Sequence, residues 1–248
     1  MNPSLIRQAV PSVVSGVSML CGLASVLMSS EGRFGWAGWL IVYSMVLDKA
    51  DGAVARALGA GSALGVEMDS FSDFTVFGIA PAALTWFLAT AAGAPVAWVA
   101  FAAAVCPLAA AVRLARFNVA GHDDHDFFSG VPTTFAAGLF ATLVLSLIDL
   151  GLIVEGSPAS STGGAVAALP PAIIALSVLM LSGLRIPKLK RRASRALNVF
   201  QWSVAAVWVV LAAAQRLPEV LFLVGAGYLV AGCLAGRRTQ AVGPGRAG

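Results

Sequence analysis

Between positions 48 and 73 the chain places four aspartates, Asp48, Asp51, Asp69 and Asp73, in a sequence of 248 residues that holds only twelve acidic residues in all. The full pattern is D-x2-D-G-x2-A-R-x8-G-x3-D-x3-D, which adds Gly52, Ala55, Arg56 and Gly65. On a helix, spacings of three and four return to nearly the same direction, so 48, 51, 52 and 55 share one face and 69 and 73 share another. Two such faces turned toward each other gather four carboxylates around one point. Ionised carboxylates that close repel, and partial burial raises the cost further, so the cluster calls for cations. A set of hard oxygen donors without His or Cys selects Mg²⁺, Mn²⁺ or Ca²⁺ over zinc. Gly52, Ala55 and Gly65 remove bulk where a ligand or partner helix comes close, and Arg56 beside the cations complements phosphate oxygens. Together these residues describe a diphosphate site.

The elements that must position them are membrane helices. Hydrophobic residues make up 58% of the chain and charged ones 11%, against about 25% charged in soluble domains. So little charge does not cover a water-facing surface, and intramembrane carboxylates are then functional candidates by default. Runs of about 20 apolar residues predict helices near 10–29, 35–58, 68–92, 95–118, 131–154, 165–184, 198–214 and 217–236. The second and third carry the acidic pattern. Pro81 and Pro107 fall inside apolar runs and are expected to kink them. The first run lacks a compact charged start and a clear cleavage site, so it reads as a retained helix and not a cleaved signal.

The pattern resembles the signature of the CDP-alcohol phosphatidyltransferases, integral membrane enzymes that move a phosphatidyl or related group from a CDP-linked donor to an alcohol. The flanking segments are similar to the phosphatidylserine synthase branch of that family. They are Val10-Pro11-Ser12, Leu20-Cys21-Gly22-Leu23, Met68-Asp69-Ser70-Phe71-Ser72-Asp73, Phe77-Gly78-Ile79-Ala80-Pro81-Ala82, Arg113-Leu114-Ala115-Arg116-Phe117-Asn118 and Phe128-Ser129-Gly130-Val131-Pro132. The likeness covers residues 9 to 190. It departs at Ala53, where many members of the branch carry Arg, and at Val131-Pro132-Thr133-Thr134, where Leu-Pro, an apolar residue and Pro are more usual.

The resemblance implies an all-α polytopic membrane enzyme with a six-helix catalytic core over 1–190; the apolar runs add a further helix pair over 191–236, and a disordered tail is expected over 237–248. It implies Mg²⁺ or Mn²⁺, two ions, held by Asp48, Asp51 and Asp69, with Asp73 as a further ligand and as general base or orienting group for the acceptor hydroxyl. Gly52, Ala55, Arg56 and Gly65 would contact the nucleotide and its phosphates. Substrates would be CDP-diacylglycerol and L-serine, and the assembly a homodimer in the bilayer. Glycerol phosphate, inositol phosphate or choline are alternative acceptors, and a divalent-cation transporter is the alternative of another class.

Basic residues set the orientation. With the N-terminus inside, fourteen of the sixteen Lys and Arg fall on one side, leaving only Arg33 and Arg216 on the other. That puts the acidic pattern at the cytoplasmic face of the cell's inner membrane. The basic run Arg185, Lys188, Lys190, Arg191, Arg192 and Arg195 has no interleaved aromatics and follows a span directly, so it reads as a positive-inside anchor and not a nucleic-acid surface. Arg113 and Arg116, three apart at the cytoplasmic end of the fourth helix, are candidates for the acceptor's anionic group. His122 and His125, beside Asp123, Asp124 and Asp126, read as a solvated loop. Cys21, Cys106 and Cys233 have no metal-like spacing and read as packing residues. The six Trp residues read as interface or packing groups.

Overall fold

The computed structural model describes residues 3–58, 63–120, 127–155, 163–187 and 195–241, with side chains over 13–49, 64–119, 127–155, 164–186, 198–199 and 202–234. The side chains of Asp51, Gly52, Ala55 and Arg56, and the loop holding His122 and His125, lie outside these, as do Lys188, Lys190, Arg191 and Arg192.

Helix α1 runs Pro3–Ser30 and α2 Phe34–Leu58. The chain continues as α3 (Ala63–Asp73), a π-helical turn Phe74–Ile79, α4 (Ala80–Ala91) and α5 (Val96–Ala120). Next come α6 (Thr133–Asp149), the short α7 (Gly163–Val166), α8 (Leu169–Leu181), α9 (Arg195–Ala213) and α10 (Pro218–Ala241). The fold is that of an all-α membrane protein. By length and composition the segments Val13–Ser30, Leu64–Ala91, Val96–Val119 and Gly164–Leu181 are long and apolar enough to cross a bilayer, and shorter apolar helices accompany them.

The faces of α1 show which solvent the bundle is built for. Ser15, Ser18, Ser25 and Ser29 are buried against the rest of the bundle, while Val13, Val17, Leu20, Leu23 and Leu27 face outward. Small hydroxyl residues inward and branched aliphatics outward is the arrangement expected when the surrounding medium is lipid. The Ser25 hydroxyl donates to the Ala37 carbonyl at 2.8 Å and ties α1 to α2. At the same end of the bundle, Glu155 accepts a hydrogen bond from the Gly35 backbone N–H and satisfies one of the open donors at the start of α2.

Helix α6 is buried on almost every side and forms the middle of the bundle. Its register against α2 is fixed by small-against-large contacts. A Cβ on Gly38 would lie 2.9 Å from Leu145 Cγ, and one on Gly138 2.4 Å from Met45 Sδ. The two helices are therefore antiparallel, with 38 opposite 145 and 45 opposite 138. The core around them holds Ile41, Val42, Val76, Phe77, Leu84, Phe140 and Val144.

Two features depart from unbroken helices. The segment expected as one helix over 68–92 starts at Ala63 and passes through the π turn, where the Ala80 N–H bonds to the Thr75 carbonyl five residues back. Pro81 follows directly, near the start of α4. Proline has no N–H and its ring clashes with the carbonyl four residues earlier, and the wider π turn absorbs that conflict. Pro107, by contrast, sits inside α5 as expected. The helix expected over 165–184 is divided into α7 and α8 at Ala167-Ala168, directly before Leu169-Pro170-Pro171.

Two three-residue strands, β1 (Phe127–Ser129) and β2 (Arg185–Pro187), pair antiparallel with Phe128 opposite Ile186. They join the chain entering α6 to the chain leaving α8. Gly130 closes this junction at φ +74°, its N–H donating to the Leu184 carbonyl at 2.8 Å, and a Cβ there would come within 2.5 Å of the Met180 carbonyl oxygen. Only glycine fits such a position. Helix α10 carries on through Arg237 and Arg238 to Ala241.

Candidate active site

The acidic pattern folds into a corner between α2 and α3. Asp48 lies thirteen residues beyond Gly35 on α2, about 20 Å along the axis at 1.5 Å per residue, so the corner is at the end of the bundle remote from Glu155. Asp69 and Asp73 lie one turn apart on α3, and Asp73 is the last residue before the π turn. π turns recur at functional sites because they re-aim the residues on either side. Carboxylate oxygens of Asp48, Asp69 and Asp73 all come within 4.8 Å of one another, each residue being partly buried.

That spacing fits a metal. Three partly buried carboxylates at this separation repel one another unless a cation lies between them, and an all-oxygen donor set suits a hard divalent ion. Asp48, Asp69 and Asp73 are the residues that would hold it. The backbone of α2 carries Asp51, Gly52, Ala55 and Arg56 along the same helix as Asp48, and Gly65 lies in the first turns of α3.

Two groups absent from the sequence reading touch this corner. The Lys49 ammonium lies 2.9 Å from Asp48 Oδ2, exposed at 72% against 13% for the Asp48 side chain. Thr134 Oγ1, from the first turn of α6, donates to the same Oδ2 at 3.5 Å. The sequence carried one signal for Thr134, the departure at Thr133-Thr134, but nothing there named Asp48 as its partner.

Helix α5 packs against the π turn and α4, and its end reaches α3. A Cβ on Gly78 would sit 3.1 Å from that of Ala110, and Asn118 Nδ2 donates to Ser70 Oγ at 3.0 Å. These two contacts make α5 antiparallel to α3 and its π turn, and they set Asp73 at the level of Ala115, between Arg113 and Arg116. At 100° per residue, Arg113 lies to one side of the face bearing Ala110 and Asn118, and Arg116 lies on the far side. Both line a cavity of about 600 Å³ together with Phe117, Ser129, Met180 and Ser182. Arg116 is exposed and Arg113 half-buried. The structure thus brings the two arginines onto one cavity at the height of the acidic corner, without turning Arg116 toward α3.

Cys21, Cys106 and Cys233 are free thiols, Cys106 buried in the core between α5 and α8.

Comparison with known proteins agrees with this geometry. The profile of the CDP-alcohol phosphatidyltransferase family matches residues 8–212, running through α9. The chain belongs to the CDP-alcohol phosphatidyltransferase family, and it is a membrane transferase of that class. It is 33% identical over 183 residues to the CDP-diacylglycerol–serine O-phosphatidyltransferase of Helicobacter pylori strain J99, covering 73% of each chain. A protein of the same name from Mycobacterium tuberculosis strain CDC 1551 is 32% identical over 223 residues, 87% of this chain and 73% of the relative. Among solved structures, Mycobacterium tuberculosis phosphatidylinositol phosphate synthase with CDP-DAG bound shares the fold, with a TM-score of 0.50 and 19% identity over 77% of this chain and 98% of that one. Family membership sets aside the cation-transporter alternative.

Proposed function

We propose that this protein transfers the phosphatidyl group of CDP-diacylglycerol to the hydroxyl of L-serine, giving phosphatidylserine and CMP. The observation that carries the reading is the convergence of Asp48, Asp69 and Asp73 at one end of the bundle, within a family whose chemistry is this transfer. The names of the relatives, both serine transferases, support serine as the acceptor.

Bound Mg²⁺ or Mn²⁺, two ions in this reading, supplies neutralisation of the donor's diphosphate and of the charge that builds on departing CMP. Asp48, Asp69 and Asp73 would hold the cations, with Asp51 as the further ligand from α2. Gly52, Ala55 and Gly65 leave room for the nucleotide and Arg56 pairs with its phosphates. Asp73 accepts the proton of the serine hydroxyl as its oxygen attacks the lipid-side phosphorus, a role for which a carboxylate at the corner's edge is suited. Arg113, with Arg116 beyond it, offers a guanidinium to the serine carboxylate from the cavity beside α5. The protein works as a homodimer in the cell's inner membrane, and the concentration of basic residues at the acidic end supports a cytoplasm-facing site.

The test is CMP release by purified protein supplied with CDP-diacylglycerol and Mg²⁺ or Mn²⁺. Serine, glycerol phosphate, inositol phosphate and choline are offered one at a time. Serine-dependent release that a chelator abolishes is expected. Release with another alcohol alone would discard serine, and none with any alcohol would discard the transfer.

A further inference from the structure

Buried hydroxyls on these helices mostly return to their own backbone. Thr85, Thr142, Ser146 and Ser177 each donate to the carbonyl four residues back at 2.6–2.9 Å. Thr134 does not. It is the second residue of α6, and its hydroxyl instead reaches Asp48, 86 residues away in sequence. Thr134 is only 6% exposed, and the helix that bears it is locked against α2 by Gly38–Leu145 and Met45–Gly138, the latter contact one turn from the Asp48–Thr134 pair. Its donor is therefore fixed in place relative to the carboxylate.

The two donors on Asp48 differ in kind. Lys49 is a solvated side chain that is free to swing, whereas Thr134 is buried and bonded to a central helix. Both engage Oδ2, while the Asp48 carboxylate has an oxygen within 4.8 Å of oxygens of Asp69 and Asp73. A carboxylate's terminal torsion is broad and roughly two-fold, so without a fixed donor Asp48 samples orientations in which neither oxygen is aimed at the corner. The contact also places Asp48 over the first turn of α6, where the open N–H groups favour an anion.

We propose that Thr134 is a positioning residue for the metal corner: its hydroxyl holds Asp48 Oδ2 and so fixes the orientation in which the carboxylate is presented, with Asp69 and Asp73, to a divalent cation. This rests on the reading of the corner as a cation site. Hydrogen-bonded partners of metal ligands commonly set metal affinity by ten- to a hundred-fold, and at 3.5 Å the lower end applies.

The experiment is a Mn²⁺ titration of the full-length protein in detergent, followed by electron paramagnetic resonance of free Mn²⁺, on wild type, Thr134→Val, Thr134→Ser and Thr133→Val. The expected result is a Mn²⁺ dissociation constant raised about tenfold in Thr134→Val, restored to within about twofold by Thr134→Ser and unmoved by Thr133→Val, whose residue is equally buried. The melting temperature of Thr134→Val without metal should match wild type, since valine keeps the shape. Should that variant not accumulate folded, Thr134→Ala removes the same hydroxyl and is read by the same criterion. Equal Mn²⁺ affinity in wild type and the hydroxyl-free variant overturns the positioning role. Absence of Mn²⁺ binding in wild type overturns the cation site itself, which separates the two failures.

Discussion

Asn118 Nδ2 donates to Ser70 Oγ at 3.0 Å, while the Ser70 hydroxyl donates to the Val66 carbonyl at 3.0 Å. The pair joins the end of α5 to α3 one residue from Asp69, so the helix bearing the arginines and the helix bearing the acids are held in register by it. Asn118→Ala is expected to lower kcat/KM about fivefold, in keeping with one exposed hydrogen bond of about 1 kcal/mol, and to leave the melting temperature nearly unchanged. Steady-state CMP release and thermal unfolding in detergent measure the two.

The arginines should not be equivalent. Arg113 flanks the face that meets α3 and is half-buried, whereas Arg116 is exposed on the far side of the helix. Arg113→Ala is expected to raise the KM for serine about tenfold, about 1.4 kcal/mol, and Arg116→Ala about threefold, both with smaller effects on the KM for CDP-diacylglycerol. Unchanged acceptor KM in both variants would return the pair to the role of side chains reaching for the membrane edge.

Asp73 sits where α3 ends and the π turn begins. If it accepts the hydroxyl proton, Asp73→Asn should cut kcat by about 10²–10⁴-fold while CDP-diacylglycerol still binds, measured by equilibrium binding of labelled donor. Near-normal turnover would remove it from proton transfer.

Gly130 carries a structural prediction separable from chemistry. Its φ of +74° and the 2.5 Å approach to the Met180 carbonyl oxygen mean that Gly130→Ala strains the backbone and pushes the α6 entry from the α8 exit, at a cost of about 1–3 kcal/mol. A lower melting temperature in detergent is the expected reading. Gly183→Ala nearby, where a Cβ meets nothing within 4 Å, is the control and should melt with wild type.

The acidic corner was legible in the sequence because it depends on local periodicity. Asp69 and Asp73 are one helical turn apart and meet Asp48 from the preceding helix, while the side chain of Asp51, the fourth expected carboxylate, lies outside the described residues. Composition likewise gave the membrane class, since apolar runs need no tertiary information. What escaped depends on contacts between distant segments. Thr134 and Asp48 are 86 residues apart, and no local pattern joins them. The β1–β2 pair unites residues 127–129 with 185–187, and three-residue strands leave no alternation to detect. The π turn before Pro81 was foreseen only as a kink, because a proline announces a conflict with the helix but not which register resolves it. The inward serines of α1 were read simply as part of an apolar run, since which face meets lipid is decided by the neighbours that cover it.

In the proposed reaction a cation-holding acidic corner moves a phosphatidyl group onto serine. Its most direct test is mass spectrometry of the lipid formed when purified protein is given CDP-diacylglycerol, ¹³C-labelled serine and Mg²⁺ or Mn²⁺. The expected product is phosphatidylserine carrying the serine label, absent with chelator and absent in Asp69→Asn. Label-free lipid with intact CDP-diacylglycerol from folded wild-type protein, at saturating metal, would contradict it.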